Sequence, residues 1–288
     1  MDKTRLPRHF SSVCTLLTVL IIGCLVRPAR ATENQPTAGS ESVSVSPFVI
    51  DARIDVPIIT MATALWIFPG LAAKELPQDP CYPCDVDDVN DLDAITIDLY
   101  SEGANIASHV GLIALPTAAI TLSLAGALKQ KDYPSLVEDL TIFIEAMLVT
   151  GMLQQIVRHA YDRPRPYMYQ FDADDSKRKH NDEDTASFYS GHTALSFTAA
   201  VAMSYLFSKR HARATLAKSL VWSVSLAVAA SVGVLRVVAG QHFISDVLAG
   251  AVIGASTGLL VPALHLRREK ATTRIAVGPQ HILLSVDF

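Results

Sequence analysis

Five apolar stretches, each close to the length of a bilayer crossing, constrain this 288-residue chain more than anything else in it. They run over residues 107–128, 136–157, 193–207, 219–240 and 247–266. A helix needs about 20 apolar residues to cross the hydrocarbon, and 193–207 is the short one. All are rich in Ala, Ser, Thr and Gly, which suits close helix packing in lipid and in the core of a soluble bundle alike. A sixth stretch, 56–73, is broken by Pro57, Pro69 and Gly70. The chain is therefore predicted to be all-α, a bundle of five to six apolar helices. The bundle is membrane-embedded in the leading reading and a soluble periplasmic domain in its rival. A hydrophobic share of 50% against 18% charged residues agrees with either. Beyond a Gly278-Pro279 turn, Ile282, Leu284, Val286 and Phe288 alternate with other residues, the pattern of a short C-terminal hairpin.

The connections are asymmetric in charge. Lys129 and Lys131 share one, Lys209, Arg210, Arg213 and Lys218 another, and Arg267, Arg268, Lys270 and Arg274 follow the last stretch. Residues 74–103 instead carry nine Asp or Glu against one Lys. The positive-inside rule puts the basic connections in the cytoplasm and the acidic one outside. If the chain starts outside, this sidedness holds only when 56–73 does not cross, so that stretch is predicted to lie at the interface or against the bundle. A net charge of -4 and the lack of a basic stripe exclude nucleic acid as a partner.

The N-terminus reads as an export signal. Lys3, Arg5 and Arg8 precede an apolar run, and Ala29-Arg30-Ala31 is a small-x-small cleavage site. Lipidation at Cys24 and retention as an anchor are the alternatives. The expected division is 1–31 signal peptide, 32–50 polar linker, 51–106 interfacial helix and acidic Cys-x-x-Cys loop, 107–268 helical core, and 269–288 C-terminal tail. Cys81 and Cys84 are expected to form a local disulfide in an exported chain.

Three polar clusters stand at the ends of apolar stretches. The first is Arg158-His-Ala-Tyr-Asp-Arg-Pro-Arg165-Pro166, where two prolines force Arg163 and Arg165 into extended geometry. The second is Tyr189-Ser190-Gly191-His192. The third runs from Arg236 to His242 and Asp246, a His–Asp pair four residues apart and within hydrogen-bonding reach if helical. All three fall on the same predicted side. Arginine offers a planar fork for phosphate oxygens. The Ser190 hydroxyl and Gly191 N–H at a helix start extend an anion cradle. An Asp-oriented imidazole can serve as nucleophile, and a second can protonate a leaving oxygen. No metal cage is evident, so positive charge is expected from arginine, with no metal and no cofactor.

In these clusters the chain resembles the type 2 phosphatidic acid phosphatase and vanadium haloperoxidase superfamily. That family shows Lys-x6-Arg-Pro, Pro-Ser-Gly-His and Ser-Arg-x5-His-x3-Asp. Here Arg158 stands in place of the lysine, Tyr189 of the proline and Leu235 of the serine. The resemblance implies that His242 attacks phosphorus to form a phosphohistidine, that Asp246 holds its tautomer, and that His192 is the general acid. It also implies that Arg158, Arg165, Ser190, Gly191 and Arg236 clamp the phosphate, and that vanadate could occupy the same cradle.

The expected function is a metal-independent phosphatase acting on a lipid phosphate or pyrophosphate. Its location is expected to be a bacterial-type inner membrane, with the site facing the periplasm. The alternatives are a soluble periplasmic acid phosphatase, a vanadate-dependent haloperoxidase and a catalytically inactive lipid-binding membrane protein.

Overall fold

The structure is a computed structural model that describes residues 46–68, 81, 84–170 and 183–267, together with the backbone of 272–277 and 282–287. The expected signal peptide, its cleavage and lipidation sites, most of the linker and residues 69–73 lie outside the described residues. Among the described residues seven helices follow in order: α1 Ala52–Ile67, the single turn α2 Asp91–Ala94, α3 Glu102–Gln130, α4 Tyr133–Ala160, α5 Gly191–Arg210, α6 Thr215–Val238 and α7 Ile244–Leu264. Strands β1 Thr272–Val277 and β2 Ile282–Asp287 pair antiparallel, with Val277 opposite Ile282, as the expected hairpin.

Local chemistry sets the helix limits. Ser101 caps α3 by accepting from the Ala104 N–H at 3.2 Å, and Asp132 caps α4 from Ser135 at 3.2 Å. Between them Lys131, left-handed at φ 54°, turns the chain in a tight reversal. Pro57 falls in the second turn of α1 and does not break it. Helices α3, α4 and α5 extend beyond the apolar stretches that predict them at both ends, whereas α6 and α7 begin earlier than predicted and each stop two residues short.

Helix α5 lies at the centre and packs against α3, α4, α6 and α7. Helices α3, α4, α6 and α7 are long and apolar enough to cross a membrane; α5 is not among them. A helix sheathed by its neighbours needs no lipid-facing surface, and α5 accordingly buries Ser196, Thr198 and Ser204 with its alanines. Its neighbours do face outward with apolar side chains. Ile106, Val110 and Ile113 form one exposed stripe on α3, and Leu216, Leu220 and Val224 another on α6. Such stripes suit lipid and would be an aggregation surface in water. The molecule is a membrane protein, and the soluble rival does not account for them.

Glycines bring α5 and α7 into backbone contact. A Cβ at Gly250, Gly254 or Gly258 would lie 2.7, 2.1 or 2.7 Å from the carbonyl oxygens of Ser190, Ala194 and Thr198 respectively. Both sets step by four residues, so the two helices meet along one matched seam. Thr198 adds a cross-helix bond by donating its hydroxyl to the Gly254 carbonyl at 3.0 Å.

The path of α1 corrects one expectation. Arg210, at the far end of α5 from the Ser-Gly-His turn, donates to the Ser46 hydroxyl at 2.8 Å, and Phe48 bridges to Leu266 past the end of α7. By Cys84, whose N–H reaches the Met168 carbonyl at 3.3 Å, the chain is at the opposite end of the bundle. It therefore traverses between Phe48 and Cys84, with α1 packed on α4 and Trp66 seated against Gly151. The charge pattern misled here because it fixed only the ends of the five strong stretches. Ser46 and Arg267 now share one end.

Two outcomes follow. Gly254→Val should destabilise the detergent-solubilised protein by about 1–3 kcal/mol through overpacking, read as a fall in Tm. Gly126→Ala, where an added Cβ meets nothing within 4 Å, should not lower it. Reporter fusions after Ser46 and Arg267 should give one compartment and a fusion after Gln170 the other. Opposite signals from the first two would show that this end-to-end path is wrong.

Candidate active site

One end of the bundle collects the three polar clusters because helices α4 and α6 end there and α5 and α7 begin there. After α4, Pro164 and Pro166 hold Arg165 extended, at φ -75° and ψ 158°. The turn is stitched to the chain before α5: the Arg163 N–H donates to the Thr185 carbonyl at 2.8 Å, and Ser187 N–H donates back to the Arg163 carbonyl at 3.0 Å. After α6, Gly240 turns the chain in a left-handed conformation, φ 66°, with the Leu99 carbonyl 2.1 Å from where a Cβ would stand. Only glycine fits there, and the turn delivers His242.

The clusters surround a cavity of about 830 Å³. Of the eight residues predicted to act on phosphate, Arg158, Arg165, Gly191, His192, Arg236 and His242 line it, while Ser190 and Asp246 do not. Ser190 is fully buried as the cap of α5: its hydroxyl accepts from the Thr193 N–H at 3.4 Å and bonds the Thr193 hydroxyl at 2.9 Å. The expected hydroxyl arm of the cradle is thus spent on the helix start, and Gly191 and the arginines remain.

Asp246 also departs from expectation. His242 precedes α7 and is not helical, so its Nδ1 lies 3.9 Å from the Asp246 carboxylate. Nδ1 instead sits 2.8 Å from the Ser187 carbonyl. A carbonyl only accepts, so Nδ1 carries the proton and Nε2 keeps its lone pair. Burial, reinforced by the charges of Arg165 and Arg236, holds the His242 pKa well below the ordinary imidazole value despite the Ser187 bond. The imidazole is neutral, as a nucleophile requires.

Asp246 works one step behind. Its carboxylate accepts from the Ser187 hydroxyl at 2.5 Å and the Phe243 N–H at 2.9 Å, and it pairs with Arg163. It therefore positions both the residue that holds His242 and the turn that carries it. Arg163 bridges onward to Asp93 at 2.8 Å, and its guanidinium lies over the Phe243 ring at 4.3 Å. Burial alone would raise the Asp93 pKa, but hydrogen bonds from Ser245, Arg163 and Asn90 outweigh it and hold the carboxylate ionised.

The arginines show what the cavity lacks. Arg165 and Arg236 are 8% and 3% exposed, and the Nε of each is buried with no hydrogen-bond partner. Arg236 is steadied by Asn105 at 2.7 Å and Arg165 by Gln241 at 2.9 Å. Glu183 reaches Arg158 and Arg165 with one oxygen each, both at 2.6 Å. Its carboxylate stands where an anion held by those two guanidinium forks would sit. His192 Nε2 lies 3.0 Å from His109 Nδ1, with the rings edge to face.

Sequence reasoning passed over Asn105, Ser108 and His109, although they recur at helical spacing near the start of an apolar helix and form one polar face. It noted Arg163 without a role and used Asp93 only as charge in the acidic connection. Glu183 had no local signal. Cys81 and Cys84 form a disulfide in the structure.

With this geometry in view, comparison with known proteins is direct. The PAP2 superfamily model matches residues 139–270. The match begins in α4 and runs through α7, so it contains all three clusters. No curated protein matches the chain. Among solved structures, a transmembrane PAP2-type phosphatidylglycerolphosphate phosphatase from Bacillus subtilis is similar. It shares 19% identity over 88% of this chain and 94% of that one, with a TM-score of 0.41.

Glu183 gives the site a testable resting state. Glu183→Gln removes an anion from two partly exposed ion pairs, each worth about 0.2–1 kcal/mol. Inorganic phosphate or vanadate should then bind roughly two- to tenfold more tightly by calorimetry. Weaker binding would show that Glu183 arranges the arginines instead of competing with the anion.

Proposed function

We propose that the protein is a phosphatase acting on a phosphate or pyrophosphate ester of a lipid. The observation that carries this reading is the pair of buried guanidinium nitrogens, on Arg165 and Arg236, left without acceptors in a cavity shared with a neutral His242. Donors and positive charge gathered in a low-dielectric site favour a multiply charged oxyanion. The PAP2 match over the same residues supports a phosphatase as the class of enzyme.

In this reading the lone pair of His242 Nε2 attacks phosphorus while Nδ1–H stays on the Ser187 carbonyl. The bond from phosphorus to the leaving oxygen breaks, and His192 gives that oxygen a proton. Water then attacks the phosphohistidine, His192 takes the proton back, and the P–N bond breaks to release phosphate and neutral His242. Arg158, Arg165, Arg236 and the Gly191 N–H hold the phosphoryl oxygens throughout. The exposed apolar stripes on α3 and α6 favour a substrate whose tail stays in the bilayer. The positive-inside rule sets this chemistry on the periplasmic face, opposite the basic connections. No metal takes part at phosphorus.

Phosphate release from a panel of lipid and water-soluble phosphates tests the proposal. His242→Ala should lose at least about 10³-fold in kcat while keeping its Tm, as expected when a nucleophile is removed. Arg236→Gln should lose about 10²–10³-fold as one stabilising donor set is withdrawn. Turnover within a few-fold of wild type in His242→Ala would defeat the mechanism, and preference for water-soluble esters would defeat the lipid assignment.

A further inference from the structure

A second buried cluster of ionisable side chains lies away from the cavity. Asp55 on α1, Glu145 on α4 and His265, the residue that closes α7, are all buried. Charged groups inside a bundle that faces lipid are costly unless another charge compensates them. Glu145 stands 13 residues before Arg158 on α4, about 20 Å of helix. The trio is therefore outside the phosphate chemistry.

The geometry of the trio is specific. His265 Nδ1 sits 2.8 Å from the Val261 carbonyl, which gives that nitrogen the proton. The other nitrogen, Nε2, faces Asp55 Oδ1 at 3.3 Å and Glu145 Oε2 at 3.5 Å. The three ligand atoms all lie within 4.8 Å of one another. Glu145 Oε2 is buried with no hydrogen-bond partner, on a side chain only 5% exposed. An imidazolium donating to a carboxylate closes to about 2.7–2.9 Å, so both separations are long for a direct charged hydrogen bond. They fit the edge of a tetrahedron, which is ~3.3–3.6 Å for metal–ligand bonds of about 2.0–2.2 Å.

The surroundings match those of a metal ligand set. A ligating histidine commonly donates its other N–H to a backbone carbonyl, as His265 does to Val261. The second Asp55 oxygen, Oδ2, accepts from the Asp51 N–H at 2.8 Å, which fixes that carboxylate as well. Two carboxylates and one neutral imidazole balance a dication. We propose that Asp55, Glu145 and His265 bind a divalent metal ion, zinc by donor set and spacing. The ion staples α1 to α4 and α7, with a fourth position left for water. This staple is structural and does not depend on the phosphatase reading.

The test uses the full-length protein in detergent, stripped with a chelator and then titrated with zinc. One equivalent should bind per chain by calorimetry and elemental analysis, and Tm should rise by several degrees. Cobalt in place of zinc should give the intense visible absorption of a tetrahedral site. Glu145→Gln and Asp55→Asn, which preserve volume, should each weaken zinc binding at least about tenfold and shrink the Tm rise. Wild-type protein that takes up no stoichiometric zinc and shows no Tm response overturns the proposal and leaves an imidazolium ion pair. Unchanged zinc affinity in both variants also overturns it, because the ion then sits elsewhere. Phosphate release by stripped protein, measured below its Tm, should persist, which separates failure of this site from failure of the phosphatase reading.

Discussion

The site end of the molecule depends on one buried carboxylate. Asp246 has no solvent exposure, and an unpaired charge there would cost several kcal/mol. Its compensation is what assembles the site. Arg163 comes from the turn after α4, the Ser187 hydroxyl from the segment before α5, and the Phe243 N–H from the turn after α6. The Asp246 carbonyl adds a fourth tie by accepting from the Ser190 N–H at 3.2 Å. Three clusters far apart in sequence are thus fastened to one point. Asp93 extends the fastening to the acidic connection through Arg163 and Ser245.

Around this anchor the electrostatics are deliberately incomplete. Arg163 is saturated by Asp93, Asp246 and Ser245, so its charge is consumed by structure. Arg236 is oriented by the neutral amide of Asn105, which holds it without neutralising it, and Arg165 by the amide of Gln241 beside its exposed partner Glu183. That difference separates an architectural arginine from one available to a substrate. Glu183, about half exposed, pairs with two of the cavity arginines, Arg158 and Arg165, and its exposure makes it displaceable. A buried acid in its place would hold the arginines too strongly to release them.

Much of this was legible in the residues. The length and composition of the apolar stretches give the five long helices, and three motifs at helix ends give six of the residues that line the cavity. What failed had identifiable causes. Ser190 could be read as a helix cap or as a phosphate ligand, and in the fold the backbone at the start of α5 claims its hydroxyl. Asp246 was read as a direct partner of His242 on the assumption of a helix through both, whereas the turn at Gly240 delays the helix until Ile244. The stretch that forms α1 was read as lying at the interface or against the bundle without crossing, because the charge sidedness of the later connections required it. Its traverse is fixed by contacts of Ser46 and Phe48 with Arg210 and Leu266, residues over 160 positions away, which no local pattern announces. His109 and Glu183 likewise gain meaning only from partners on other helices.

The glycine seam between α5 and α7 has a consequence for the two imidazoles. His192 opens α5 and His242 leads into α7, so the separation of their backbones is set by how closely those helices lie. Gly250 meets the Ser190 carbonyl two residues from His192, while Gly254 and Gly258 extend the same contact two further turns along the helices. The seam acts as a caliper: contact deep within the bundle fixes a distance at its mouth. A methyl group added in the bundle interior, far from any substrate, would open the jaws and misalign attack and proton transfer together.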